Sequence, residues 1–437
     1  MSLGARLQAL MSQDRGVLAA LSTGLLVRSV GIMTTLLAMP LAYQALGEAR
    51  FGAFLTLVGI ANWLGLSTGG IQQAIGRKIA ADDLSKGQIS NLLGSIFVVA
   101  MAMSSFGTLV FAGFIWFAAE HAADRFGLSL MELRRAGLIL VGLIYLQILM
   151  QVFEGVNIGE LKVHNANLAR LVGSGFSFVC LLILPVYWPD IAAFVIALNG
   201  GLLLGAIINA SQIYLRVRPR IWFQNENWPE IRLTLLSGFA FFLTAIASLV
   251  HTTWPVILVS ANAGPEAAVE VGLYLRLLVF CLGLAVMVTG PLWPALINAR
   301  LQGDLQWVQQ ARTIVFVIVV GGAFTASLVI ALGGPWLLKI WTGFEAQNSV
   351  LFTALMGLVF FQVGWANYWC SILMSYKREV LVARIFIIEA GAIIITSFVA
   401  LNTWEITAMM GAICLSMVMG STFWMPFFAW RISRRGI

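Results

Sequence analysis

The chain has 437 residues, 60% of them hydrophobic and only 10% charged, with a mean hydropathy of +0.92; an ordinary soluble domain carries about 25% charged residues, so a soluble class is excluded. The net charge of +7 does not point to nucleic acid, because the lysines and arginines are scattered over short breaks between apolar runs and are not gathered on one face. Cys180, Cys281, Cys370 and Cys414 lie inside apolar runs without CxxC or Cys/His spacing, so they read as small core residues and not as a disulfide framework or metal site.

Residues 1–16, with Arg6 and Arg15, precede an apolar run of roughly thirty residues, about twice a signal-peptide core. The first helix is therefore expected to stay as an anchor. A bilayer-spanning helix needs about 20 apolar residues, and long apolar runs predict spans at 17–46, 51–71, 90–118, 136–157, 167–187, 191–215, 232–260, 271–298, 312–333, 349–375, 380–402 and 405–430. The expected fold is an all-α polytopic membrane protein of about twelve transmembrane helices. With a cytoplasmic N-terminus, nineteen of the 26 lysines and arginines fall on the inside, five outside and two, Arg28 and Arg276, within spans. The positive-inside rule then puts both termini in the cytoplasm.

The polar break Arg216–Glu230, RVRPRIWFQNENWPE, follows six spans and precedes six more. It divides the chain into an N-terminal lobe (1–215), a linker (216–230) and a C-terminal lobe (231–437). Echoes across the break suggest duplication. Gly47-Glu48-Ala49-Arg50-Phe51-Gly52 follows the first span much as the stretch from Gly264-Pro265-Glu266 to Gly272 follows the seventh, and Pro40 and Pro255 precede them at similar distances. The two prolines are expected to be shared bending points. An even number of spans per half gives both copies one orientation, with a cleft between them.

The order of motifs resembles that of polysaccharide or O-antigen flippases of the multidrug/oligosaccharidyl-lipid/polysaccharide exporter superfamily, and the resemblance runs through nearly the whole chain. Pro40-Leu41 through Leu46-Gly47-Glu48 and Phe51-Gly52 is similar to the family's first conserved passage. Gly272-Leu273-Tyr274-Leu275-Arg276, Leu292-Trp293-Pro294-Ala295, Ala299-Arg300, Gly303-Asp304 and Ile340-Trp341-Thr342-Gly343 resemble a later succession. Leu66-Ser67-Thr68-Gly69-Gly70 departs from the Asp-Leu-Gly that relatives often carry there. The resemblance implies two six-helix lobes around a central cavity, alternating access, and a cargo of undecaprenyl-pyrophosphate-linked oligosaccharide turned to the periplasmic face of a bacterial inner membrane. Its implied partners are that lipid-linked oligosaccharide, membrane lipids and polysaccharide polymerase machinery.

Charge inside the apolar runs marks the candidate site, since an intramembrane ion needs a partner, water or a ligand. A pyrophosphate calls for the planar fork of arginine. Arg28 is the first candidate. Arg276, about 9 Å inward from Glu270 at a rise of about 1.5 Å per residue, is the second, unless it snorkels or pairs with Glu266 or Glu270. Glu389, deep in the eleventh span, is expected either to pair with an arginine or to take up a proton or sodium ion. His251, with Thr252 and Thr253, forms a polar step in the seventh span, suited to a hydrogen bond between helices or to substrate. Gln147, Gln151 and Glu154 recur at spacings of four and three on one face of the fourth span, where Gln147 and Gln151 could line the cavity and Glu154 could serve coupling or an ion pair. Trp63, Trp254, Trp293, Trp365 and Trp369 lie deep in spans, where packing or sugar stacking would suit them.

No catalytic motif, metal set or phosphate loop is present in the sequence, and no cofactor is expected. Two other classes remain open. A multidrug or small-cation antiporter of the same superfamily would need an acidic or aromatic cavity, and a membrane enzyme acting on lipid-linked glycans would need a substantial outer loop.

Overall fold

The computed structural model describes residues 15–64, 71–82, 84–126, 128–160, 162–220, 228–376, 378–403 and 405–434; some side chains within these ranges, Arg28, Pro291, Trp293 and Pro294 among them, fall outside the description. Among the described residues every regular element is a helix. That is what hydrocarbon demands, because a helix satisfies each backbone N–H and C=O within its own segment.

The elements are α1 (Arg15–Leu64), α2 (Ile71–Asp82), α3 (Lys86–Phe126), α4 (Leu130–Gln151), α5 (Glu154–Gly159), α6 (Val163–Tyr187), α7 (Ile191–Val217) and α8 (Trp228–Thr252). They continue with α9 (Trp254–Ala263), α10 (Ala267–Leu301), α11 (Leu305–Thr342), α12 (Val350–Met374), α13 (Glu379–Thr403), α14 (Ile406–Met417), a π-helical turn (Val418–Thr422) and α15 (Phe423–Arg434). Where it is described, each of the twelve predicted spans lies mainly in helix. Among the described residues ten runs are long and apolar enough to cross a membrane, or eleven when the bent pair Phe242–Thr252 and Trp254–Ala263 counts as one span. The difference from twelve has a local cause. The first two predicted spans are joined inside α1 without a loop, and only Gly47 (φ 71, ψ 174) departs from helical geometry there.

Gly47 is matched by Gly264 (φ 100, ψ 164) at the end of α9. Both sit in the region of positive φ that only glycine adopts without strain, so the sequence echo is also a backbone echo. The prolines behave differently from expectation. Pro255 sits in the first turn of α9, just after a 45° bend, where its missing N–H costs nothing; Pro40 lies within helical backbone. The expected bend is therefore found at Pro255 and not at Pro40, while the backbone feature that the two halves share is the positive-φ glycine. A second departure is α2, a helix where a polar break was expected. Ile71, Ile75 and Ile79 fall four residues apart and are all buried, so one apolar stripe is enough to order it.

The chain divides into two compact units, one of Met1–Arg50 with Ile60–Phe239, the other of Phe51–Gly59 with Ala240–Ile437. The first therefore extends past the expected limit at residue 215, and residues 51–59 belong to the second. Close packing explains that exchange: a Cβ on Gly52 would strike the Pro265 carbonyl, and Gly272 lies against Leu55. In the first unit, Ile75, Ile79, Leu93, Ile96, Val156 and Ile213 form one apolar cluster, and α6 meets α7 so closely at Gly173 and Gly201 that any side chain there would strike backbone. Small residues at such crossings let membrane helices approach. In the second unit the core joins α10, α11, α12, α13 and α15 through Leu296, Val320, Ile372, Val382 and Met425.

Candidate functional site

The second unit holds a polar group inside its spans. Glu389, midway along α13, is 1% exposed, and His251, in the last turn of α8, is 8% exposed. Their side chains meet at 2.6 Å between Nε2 and Oε1. His251 Nδ1 lies 2.7 Å from the Ala247 carbonyl oxygen one turn earlier. A carbonyl only accepts, so Nδ1 carries a hydrogen, and Nε2 faces the carboxyl oxygen across a single shared hydrogen. The pair is neutral as a unit whichever partner holds that hydrogen, which is how a carboxyl group can be buried among apolar neighbours at tolerable cost.

The other carboxyl oxygen faces a break in the last span. Gly420 leaves helical geometry (φ −100, ψ −113) within the π-helical turn, and the Ser421 N–H that this frees donates to Glu389 Oε2. The Trp365 indole donates to the Thr422 carbonyl at 3.0 Å, satisfying an acceptor that the break would otherwise strand. A Cβ at Gly420 would collide with the Glu389 carboxyl. Glycine is thus required by the carboxyl group that fills the break. π-bulges of this kind concentrate at functional sites.

A cavity of about 190 Å³ opens beside the pair, with Thr244, Ser248, His251, Thr252, Asn367 and Phe386 in its wall. Phe386 presents its edge to the imidazole at 6.2 Å. Asn367 is held by Thr289, whose hydroxyl donates to its side-chain oxygen at 2.9 Å. The lining mixes these hydroxyl and amide side chains with apolar ones such as Leu282, Val286 and Met417, with room for a few waters.

Glu389 was expected to pair with an arginine or to take up an ion; its partner is His251. Arg276 lies half-buried on α10, and among the described residues no hydrogen bond or ion pair engages it. The expected pairing with Glu270 is replaced, because Glu270 Oε2 accepts the N–H groups of Gln347 at 2.9 Å and Asn348 at 3.1 Å. Six residues apart, Glu270 and Arg276 also lie on different helix faces, since side chains meet at spacings of three and four. The Arg28 side chain lies outside the described residues.

Gln147 and Gln151 are half-buried on α4 in the first unit. Glu154 does not continue their helix: α4 ends at Gln151 and α5 begins at Glu154. There Glu154 forms an ion pair with Arg170 of α6. Trp254 donates its indole N–H to Ser397 at 3.0 Å, and Trp365 and Trp369 pack edge to face with Phe316 and Tyr368. Sequence reading overlooked Gly420, Ser421 and Thr422. Three small residues in succession inside an apolar span were the available signal.

No protein-family model matches the chain, and no curated protein matches its sequence. Solved structures do match its fold. A multidrug resistance MATE family transporter of the MOP superfamily, in an inward-facing conformation, aligns at a TM-score of 0.62 with 15% identity over 94% of this chain and 96% of its own. A MOP superfamily transporter from Pyrococcus furiosus, described as having a binding pocket of reverse polarity, aligns at 0.61 with 13% identity over 96% of each chain. The lipid II flippase MurJ, in an inward closed conformation, aligns at 0.67 with 14% identity over 94% of this chain and 87% of its own. The chain is a multi-pass membrane protein with the fold of the MOP superfamily transporters. At these identities the likeness concerns the fold.

Proposed function

We propose that this protein is a flippase that moves an undecaprenyl-pyrophosphate-linked oligosaccharide from the cytoplasmic to the periplasmic face of the bacterial inner membrane by alternating access, for surface polysaccharide synthesis. The observation that carries the reading is Arg276, a guanidinium within a span that no carboxylate engages among the described residues. Placing a cation there is costly, and a transient anionic ligand offsets that cost, with bidentate bonds suited to phosphate oxygens. The fold shared with a lipid flippase supports the reading, as do the motifs shared with polysaccharide flippases. Arg28, the other arginine inside an apolar run, is likewise assigned to phosphate, and the polymerase machinery would receive the product.

A multidrug or cation antiporter has the same fold behind it. Cation capture needs a carboxylate with charge to spare, whereas Glu389 already has both oxygens engaged by His251 and Ser421. Reconstitution into proteoliposomes, with a fluorescent lipid-linked oligosaccharide and a cationic dye offered in parallel, tests the choice. Flipping of the lipid is expected, with loss of about tenfold or more in Arg276→Ala, since a charge-assisted hydrogen bond contributes about 1.5–3 kcal/mol. Transport of the dye alone, or an unaltered rate in Arg276→Ala, overturns it.

A further inference from the structure

The carboxyl group of Glu389 joins three elements, α13, α8 and the π-helical turn, and its surroundings define what it can bind. Oε1 faces the imidazole nitrogen at 2.6 Å, and the Ser421 N–H points at Oε2. A hard metal cation takes several converging oxygen ligands. Here a hydrogen-bearing nitrogen stands where such an ion would have to sit against Oε2, and an imidazole nitrogen stands against Oε1. The group that fits this geometry is a hydrogen ion. We propose that His251 and Glu389 form a binding site for one exchangeable proton, supplied from the adjacent cavity, whose occupancy switches the hydrogen bond that fastens the broken last span to α13.

The exchange balances as follows. The unloaded pair holds two hydrogens, one on Nδ1 bonded to the Ala247 carbonyl and one shared between Nε2 and Oε1, with no net charge. A second hydrogen does not fit between atoms 2.6 Å apart, so an incoming proton takes a lone pair of Oε2. The product is an imidazolium beside a neutral carboxylic acid, with one positive charge. Oε2 then turns from acceptor to donor, and the Ser421 N–H···Oε2 bond gives way. An acceptor for the new O–H stands at the break itself: Ser421 Oγ and Thr422 Oγ1 are both buried and, among the described residues, have no hydrogen-bond partner. One N–H···O bond is lost and one O–H···O bond forms, and release of the proton to the cavity reverses both. The freed amide belongs to a turn already out of helical geometry at Gly420, so it is left without that bond for as long as the proton is held.

Few other groups compete for the proton. Cys370 of α12 lies in the cavity wall, and Cys281 of α10 is next to the lining residue Leu282. The Cys414 thiol of α14 donates to the Leu355 carbonyl, and the Tyr368 hydroxyl of α12 to the Arg312 carbonyl. Arg384 of α13 and Arg431 of α15 are exposed. Trp254 of α9 and Trp365 of α12 bring indoles that do not titrate. As the coupling ion of a flippase this proton rests on the function proposed above, but the site and its switch require no cargo and are tested without one.

The test uses the full-length protein in phospholipid nanodiscs, with hydrogen–deuterium exchange followed in the peptide containing Ser421 and rates corrected for intrinsic exchange. As the pH is lowered from about 8 to about 5, protection at Ser421 should fall roughly five- to tenfold, the factor expected for one lost hydrogen bond. Replacing sodium chloride by choline chloride should change nothing. Glu389→Gln, which keeps the shape but cannot ionise, and His251→Gln should each abolish the pH response. Protection in the natural protein that is indifferent to pH, or that follows sodium, overturns the proposal. So does a pH response that survives in Glu389→Gln, or a loss of protection shared by peptides of α7, which would be general loosening. If either variant fails to fold, the pH and sodium series on the natural protein decide by themselves.

Discussion

Both compact units are built from apolar helices and both have ion pairs near helix ends, Lys339–Glu345 in the second among them, yet the second also holds a pair deep within its spans. In the first unit the pairs stand near helix ends. Arg50 bonds Glu132, with its Nε at 2.9 Å, Arg134 bonds Glu120 at 3.1 Å while lying 4.0 Å over the Trp116 ring, and Arg135 pairs with Asp190 and stacks on Trp188. Aromatic and cationic side chains at span ends are what an interface with water accommodates. In the second unit the pair His251–Glu389 lies inside the spans, has 7% and 0% of its side chains exposed, and is built around a helix break. The difference teaches that position, more than the number of charges, separates ion pairs that settle a helix in the membrane from one that has a task within it. Where water can reach, pairing is optional; where it cannot, an unpaired group is very costly.

That contrast can be broken by removing single partners. The largest effect is expected for His251→Ala, which strands a buried carboxyl group: stability should fall by about 3–5 kcal/mol, read as a lowered midpoint of thermal unfolding in detergent. An unchanged midpoint would mean that water reaches Glu389 and that the two units do not differ in kind. Next comes Gly420→Ala, whose methyl group meets the Glu389 carboxyl; overpacking of this sort costs about 1–3 kcal/mol, and shortening the carboxyl side chain in a Gly420→Ala/Glu389→Ala double variant should recover part of that loss. Asp190→Ala removes both the partner of Arg135 and the N-cap of α7, where the carboxylate accepts the Ala192 N–H at 3.2 Å. A loss of about 1 kcal/mol is expected, detectable as faster amide exchange in the first turn of α7 alone. The smallest effect belongs to Glu120→Ala. Its side chain is 56% exposed, so the change should stay below about 1 kcal/mol and vanish in high salt; a larger cost would show that charge pairs at span ends are not dispensable.

Much of this was legible along the chain. The twelve apolar runs announced the helices because backbone in hydrocarbon has so few ways to satisfy itself. Gly47 and Gly264 announced matching breaks because only glycine tolerates that backbone. Glu389 and His251 stood out as ionisable groups in apolar runs, and each was flagged for its cost. What could not be read was that they belong to each other. They are 138 positions apart, and an interior carboxyl group advertises its need for a partner without naming one. Sequence offered Glu389 an arginine or a coupling ion and offered Arg276 a phosphate, Glu266 or Glu270; helix phase and the loop at Gln347–Asn348 removed Glu270 from that choice. Gly420 was invisible for a related reason: a glycine in a membrane helix is common, and only the carboxyl group packed against it shows why a larger residue cannot stand there.

By itself the amino-acid sequence determined that this chain lives in a bilayer as helices, how many apolar segments it has and which residues carry charge into them. These are local consequences of hydrophobicity and backbone bonding, each settled within some twenty residues. Tertiary structure decided that α8, α13 and the broken last span converge, that the carboxyl group is shared between an imidazole and a freed amide, and that a cavity opens beside them. Those outcomes depend on which side chains meet across helices, and the energy of a buried hydrogen bond exists only when both partners arrive.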